Sequence, residues 1–230
     1  VVAQNVGRSY SISSGLIAFL LGVVLGNVIQ GINLGADHVF RGSFIEFLNP
    51  YALLMGVTTL SLLMMHGAIY LVMKTENRLY AKLTIMVKNT TIFFVMMILL
   101  TSFYTLLYLP HMAVVIRRYP ELFAIPVMMV LAIANITRQI TKRKYLFAFI
   151  SSAVTINLLM VLVAMELYPN MLLSKISPAN NLTVYNASSS HKTLGIMLIM
   201  AAIGVPLVVS YTAFVFVTFK GKVKLDEMSY

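Results

Sequence analysis

Apolar runs about as long as a bilayer is thick recur along the chain, and proline or clustered lysine and arginine ends most of them. A helix crossing the hydrocarbon core needs about 20 apolar residues. Six segments read as such spans: 15–32, 50–73, 91–109, 122–136, 145–168 and 193–219. Pro50 stands in the first turn of the second span, where its missing N–H is harmless. Pro110 closes the third, Pro126 sits near the start of the short fourth, and Pro169 closes the fifth. Pro206 falls inside the sixth and predicts a kink. The pattern predicts an all-α integral membrane protein of six transmembrane helices, a single membrane domain over residues 1–230.

Loop charge sets the expected orientation. Arg8 precedes the first span. Lys74, Arg78, Lys82 and Lys88 lie between the second and third, and Arg138, Lys142, Arg143 and Lys144 between the fourth and fifth. Lys220, Lys222 and Lys224 follow the sixth, while the opposite loops hold only Arg41, Arg117, Arg118, Lys175 and Lys192. Positive loops stay inside, so the N and C termini are expected in the cytoplasm. The net charge of +10 has the same origin, and no basic stripe lies on a soluble face, so a nucleic-acid partner is excluded. Of 230 residues, 60% are hydrophobic and 10% charged, far from the roughly one quarter charged in soluble domains. The absence of cysteine excludes disulfides and thiolate-held metals. With no tryptophan, an interfacial aromatic belt must draw on the 12 tyrosines. The chain opens at Val1 without a signal-peptide pattern and reads as the interior of a longer protein.

Polar groups at membrane depth are costly and mark candidate chemistry. His66 lies in the second span. A helix-packing hydrogen bond or a subunit contact is its commoner use. Haem ligation is the functional alternative, with one of the 16 methionines as second ligand. His38, His111 and His191 fall in external loops at spacings that fit no zinc motif. Glu166, beside Tyr168 and Pro169, reads as an interfacial carboxylate facing water, or functionally as an outward proton exit or quinol-side base. Asn157, mid-span, reads as a buried amide that must find a partner. Gly22 and Gly26 form Gly-x-x-x-Gly, which permits close helix approach. Asn181-Leu-Thr183 and Asn186-Ala-Ser188 match the glycosylation pattern, although a polar turn region with Ser190 as helix cap is the favoured reading. Nucleotide-binding and hydrolase motifs are absent.

Three stretches, taken together, resemble subunit II of the cytochrome bd quinol oxidases. They are Leu25-Gly26-Asn27-Val28-Ile29-Gln30-Gly31; Asn49-Pro50-Tyr51 through Val57 with Met65-His66-Gly67-Ala68 and Lys74-Thr75; and Asn186-Ala-Ser-Ser-Ser190 with Gly204-Val-Pro206, Tyr211-Thr212 and Lys220-Gly-Lys-Val223. The resemblance implies a haem-free subunit beside a subunit I that carries haems b and d. The complex oxidises quinol and reduces O2 to water in a bacterial or archaeal cytoplasmic (inner) membrane. A small single-helix subunit, lipids and quinone are further expected partners. The family's subunit II has nine helices, so the chain reads as its last six. Residues 15–73 are then two helices remaining from a first bundle, and residues 91–219 a second four-helix bundle. The family's proton-path acids lie in the earlier helices, so none is transferred. His66, Asn157, Glu166 and Tyr211 remain as candidate buried polar or subunit-contact residues, with no catalytic, cofactor-binding or metal residue assigned. A proton- or substrate-coupled transporter is the alternative, and it would want paired polar groups on broken helices.

Overall fold

The computed structural model describes residues 2–109, 118–218 and 221. The expected features at Pro110, His111, Arg117, Lys220, Lys222, Val223 and Lys224 lie outside the described residues. Six helices are long and apolar enough to cross a membrane. They are α1 (Val2–Gln30), α2 (Pro50–Lys74), α3 (Asn77–Tyr108), α4 (Ala124–Thr141), α5 (Tyr145–Leu167) and α6 (His191–Thr218). The chain is an all-α integral membrane protein. A two-stranded antiparallel ladder, β1 (Asn170–Leu172) with β2 (Leu182–Thr183), is confined to the loop before α6.

Helix starts follow local chemistry. Asn49 caps α2, its Oδ1 accepting from the Ala52 amide at 2.9 Å, with Pro50 in the first turn. Ser190 caps α6, Oγ accepting from the Thr193 amide at 3.3 Å. The third span departs from the sequence expectation. α3 begins at Asn77, so Lys82 and Lys88 lie on a helix and not in a loop. No proline or glycine interrupts residues 77–91, and leucine, alanine and lysine there favour helix. Its 32 residues run about 48 Å, well beyond the hydrocarbon core of about 30 Å, so the basic first turns stand outside it. α4 likewise continues to Thr141, past the expected end at residue 136.

Helix α2 is the hub. Its face Leu62, Met65, Ala68, Ile69 and Val72 packs with Leu83, Val87, Phe94 and Ile98 of α3, Ile136 of α4, and Tyr145 and Ala148 of α5. Helix α1 lies against the outer half of α2 through glycines. A Cβ at Gly22 would lie 2.6 Å from the Met55 carbonyl, and one at Gly26 2.7 Å from Ala52 Cα. No residue of α6 is buried. It touches the rest where Phe216 meets Tyr70 edge-on at 6.4 Å, and beyond its end Lys74 Nζ donates to the Gly221 carbonyl at 3.3 Å.

Candidate functional site

Hydroxyl and amide side chains line the contacts of α2 with α3 and α5. His66 lies about 12 Å along the axis from Lys74, deep in the cytoplasmic half by the charge bias. Its Nδ1 is 2.7 Å from Ser152 Oγ, and its ring stacks on Phe149 at 4.5 Å between centroids. Ser152 Oγ also lies 2.8 Å from the Phe149 carbonyl, so its one proton serves either neighbour and the direction of the His66 bond follows the imidazole tautomer.

The rest of the seam is built the same way. Thr58 Oγ1 lies 2.8 Å from the Leu54 carbonyl and 2.6 Å from Thr101 Oγ1. Thr105 Oγ1 lies 2.8 Å from the Thr101 carbonyl and 3.0 Å from Tyr51 OH. Asn135 Nδ2 donates to Ser151 Oγ at 2.7 Å, and Ser151 Oγ to the Phe147 carbonyl at 2.8 Å. Most of these hydroxyls also reach a carbonyl a turn back on their own helix. The seam joins helices. Interhelical bonds of this kind contribute modestly. Thr101→Val is expected to lower unfolding free energy by about 0.6 kcal/mol, measured by reversible unfolding in detergent or bicelles.

The other sequence candidates separate. Glu166 is buried, at 8% exposure, where an interfacial carboxylate facing water was expected. It occupies the last turn of α5, where the chain turns back over the helix ends. Asn157 departs the other way: it is exposed, and its Nδ2 donates to the Ala153 carbonyl at 2.9 Å on its own helix. Tyr211 on α6 is 66% exposed. Among His66, Asn157, Glu166 and Tyr211, no hydrogen bond or ring contact is described that joins one to another.

The ordered outer cap was not foreseen in the sequence. Asn27 is buried near the end of α1. Its Nδ2 donates to the carbonyls of Val23 at 2.9 Å and Phe47 at 2.8 Å, and its Oδ1 accepts from Asn49 Nδ2 at 2.9 Å. Gly31, at φ 84°, leads into a backbone junction between the two external loops. There Ile32 N donates to the Leu173 carbonyl, and Lys175 N to the Ile32 carbonyl, both at 2.9 Å. Asn180 Nδ2 and Ser174 Oγ both donate to the Leu34 carbonyl. His38 Nδ1–H donates to the Asn180 carbonyl at 3.2 Å. The glycosylation-type asparagines are part of this frame. Asn181 Oδ1 accepts from Ser174 N and Asn186 Oδ1 from Thr183 N, which supports the turn reading. No group of three potential ligands that could hold a metal ion occurs among the described residues. The signal for the cap was the asparagine content of residues 27–49 and 170–186, which periodicity does not register.

A cavity of about 10 Å³, enough for one water, lies under the cap between Asn27, Asn33, Glu46 and Lys175. Partial burial lowers the Lys175 pKa from its usual range, against the opposing pull of the Glu46 carboxylate. A lysine depressed in the folded state binds fewer protons than in the unfolded chain. Its penalty is therefore full below the folded pKa and disappears as pH rises to the unfolded value near 10.5. Lys175→Met is expected to flatten the rise in stability on the alkaline side, read from Tm across that range.

Comparison with known proteins places these features in a family context. A family model described as cytochrome bd terminal oxidase subunit II matches residues 3–219. The chain is 29% identical over 227 residues to a probable cytochrome oxidase subunit 2 of Haemophilus influenzae, covering 85% of this chain and 59% of that protein. It is 25% identical over 242 residues to the cytochrome bd-I ubiquinol oxidase subunit 2 of Escherichia coli K12, covering 91% and 63%. Against the cytochrome bd ubiquinol oxidase subunit 2 of Bacillus subtilis it is 26% identical over 210 residues, covering 91% and 61%. The chain spans about 60% of the length of these curated relatives.

Proposed function

Because the chain belongs to the cytochrome bd terminal oxidase subunit II family, we propose that it serves as the haem-free subunit II of a quinol:oxygen oxidoreductase in a bacterial cytoplasmic membrane. The observation that carries this reading is the family match over residues 3–219, coincident with all six membrane helices. In this role the chain supports a subunit I that binds haems b and d, oxidises quinol and reduces O2 to water. A small single-helix subunit is a further partner, and the chain itself carries no catalytic residue. In this reading α2, α3, α4 and α5 form one four-helix group, because their buried faces share a single core, with α1 and α6 at its sides. The relatives named above are bacterial and give an archaeal setting no support.

His66 takes part in the helix packing: its ring stacks on Phe149 at 4.5 Å and its Nδ1 bonds Ser152 Oγ at 2.7 Å. The described residues bring no second histidine to it. Haem chemistry is accordingly assigned to the partner. The transporter alternative gives way to the family match.

Deleting this chain from cells that make the whole oxidase tests the reading. The expected result is loss of the oxidase haem spectrum and of quinol-dependent oxygen uptake in isolated membranes. Unchanged haem content and uptake would overturn it.

A further inference from the structure

We propose that the short turn joining α4 to α5 binds the phosphate headgroup of an anionic phospholipid, with Arg138 and Arg143 as its main contacts. The inference needs only that the chain spans a membrane, so it stands apart from the oxidase reading.

The first support is charge without a counter-charge. Arg138, Lys142, Arg143 and Lys144 place four cations within seven residues, and all four are exposed. No described carboxylate pairs with any of them. A basic end suits α4, whose C-terminal dipole attracts cations. Arg143 and Lys144 also precede the first turn of α5, where cations oppose the dipole and no acidic residue offsets them. Helix stability therefore does not account for the cluster. Orientation of the chain needs positive charge on this side, and Lys74, Lys82 and Lys88 already supply it from α2 and α3.

The second support is the backbone. Arg143 N donates to the Ile140 carbonyl at 3.0 Å and Lys144 N to the Gln139 carbonyl at 2.9 Å. This pair of bonds closes a helix on a left-handed residue. That residue is Arg143, at φ 54°. Glycine takes the conformation without strain and is its usual occupant. An arginine held there points to a use for its guanidinium. The planar fork of donors on that group suits a phosphate.

The surface below the turn commits the occupant to lipid. Two membrane spans end at this turn, which puts it at headgroup level. Val127, Leu131 and Arg138 share one exposed face of α4 at helical spacing. Leu146 and Ile150 are exposed in the first two turns of α5. Cations above an apolar wall match a phospholipid, whose phosphate stands above its acyl chains. A soluble anion would leave the wall unused. Basic sites between helix ends on the cytoplasmic side take anionic headgroups in this way.

The test uses the protein purified from native membranes with its retained partners. It is reconstituted into nanodiscs of equal parts phosphatidylglycerol and phosphatidylcholine. Native mass spectrometry then counts the lipids that stay bound on release from the disc. The variants are Arg143→Gly, Arg138→Gln and, as control, Arg8→Gln on α1, which packs on α2. The expected result is preferential retention of phosphatidylglycerol, weakened about fivefold in each of the first two variants, the worth of one cation at an anionic surface. Arg8→Gln is expected to bind as the unmodified protein does. Arg143→Gly relieves the left-handed turn, so its Tm is expected at or above wild type, which separates lost binding from lost folding. If its Tm falls instead, Arg138→Gln, which leaves the turn untouched, decides. Equal retention of the two lipids by the unmodified protein overturns the proposal. Undiminished phosphatidylglycerol binding in the variants also overturns it. That outcome is expected if the cluster only orients the chain, or if an acidic protein segment such as Asp226 and Glu227 fills the site.

Discussion

Gly26→Leu is expected to stop the chain from accumulating in the membrane in a folded form. A Cβ at this position would lie 2.7 Å from Ala52 Cα and 3.0 Å from Met55 Cβ. The closer of these atoms is backbone, which cannot swing aside as the end of a side chain can. One turn earlier, Gly22 meets the Met55 carbonyl and Thr59 Oγ1, each at 2.6 Å from the built Cβ. Any side chain at residue 26 must therefore push α1 off α2 along the seam that both glycines keep closed. That separation opens the small core of Ile29, Tyr51 and Leu109 and strains the Asn27–Asn49 bond. Overpacking alone typically removes about 1–3 kcal/mol, and the lost core and hydrogen bonds add to it. Membrane-fraction immunoblots with limited proteolysis provide the measurement. Gly67→Leu, which meets no neighbouring atom within this chain, serves as the control and is expected to accumulate normally. Equal levels of the two variants would show that the glycine seam is not what holds α1.

Spans were the readable part of this sequence, because burial in lipid imposes one simple requirement, a run of apolar side chains long enough to cross. Ends were readable where capping chemistry is local, as at Asn49, Pro50 and Ser190. The start of α3 was hidden because hydropathy marks where a helix enters lipid, not where its backbone begins to coil. Lys82 and Lys88 extend the helix while interrupting the apolar run. The burial of Asn157 and Glu166 was misread for a different reason. Asn157 and Glu166 both sit on α5, and which of them is buried depends on azimuth against neighbouring helices. The all-round apolar character of α5 carries no information on azimuth. His66 was found from its rarity, but its partner Ser152 is 86 residues away in sequence. The outer cap was invisible for the same reason. Its bonds join residues 31–41 to 173–180, and no local pattern announces such a pairing.

Asn27→Leu should be the most damaging polar-to-apolar substitution among the described residues. Leucine matches asparagine closely in volume, so the change isolates hydrogen bonding from packing. The native amide is 6% exposed and fully used: two donations to carbonyls and one acceptance from Asn49. With leucine in place, the Phe47 carbonyl and Asn49 Nδ2 each lose this partner. Asn49 Nδ2 keeps the Glu46 carbonyl at 3.1 Å, and the Val23 carbonyl keeps its place in the helix. A buried group left unmatched costs about 1–3 kcal/mol, so a total of roughly 3 kcal/mol is expected, or about 6–12 °C in Tm for a chain of this size. Asn49→Ala should cost less from lost pairing, but adds the loss of the α2 cap, about 1 kcal/mol. The two effects share one bond. The double variant is therefore expected to be less destabilised than the sum of the single variants, by about 1 kcal/mol. Thermal unfolding in detergent, followed by helical signal, measures all three. Strict additivity would mean that the two asparagines act separately, and a Tm within about 2 °C of wild type for Asn27→Leu would mean that water substitutes for the amide and the cap is not what pins α1 to α2.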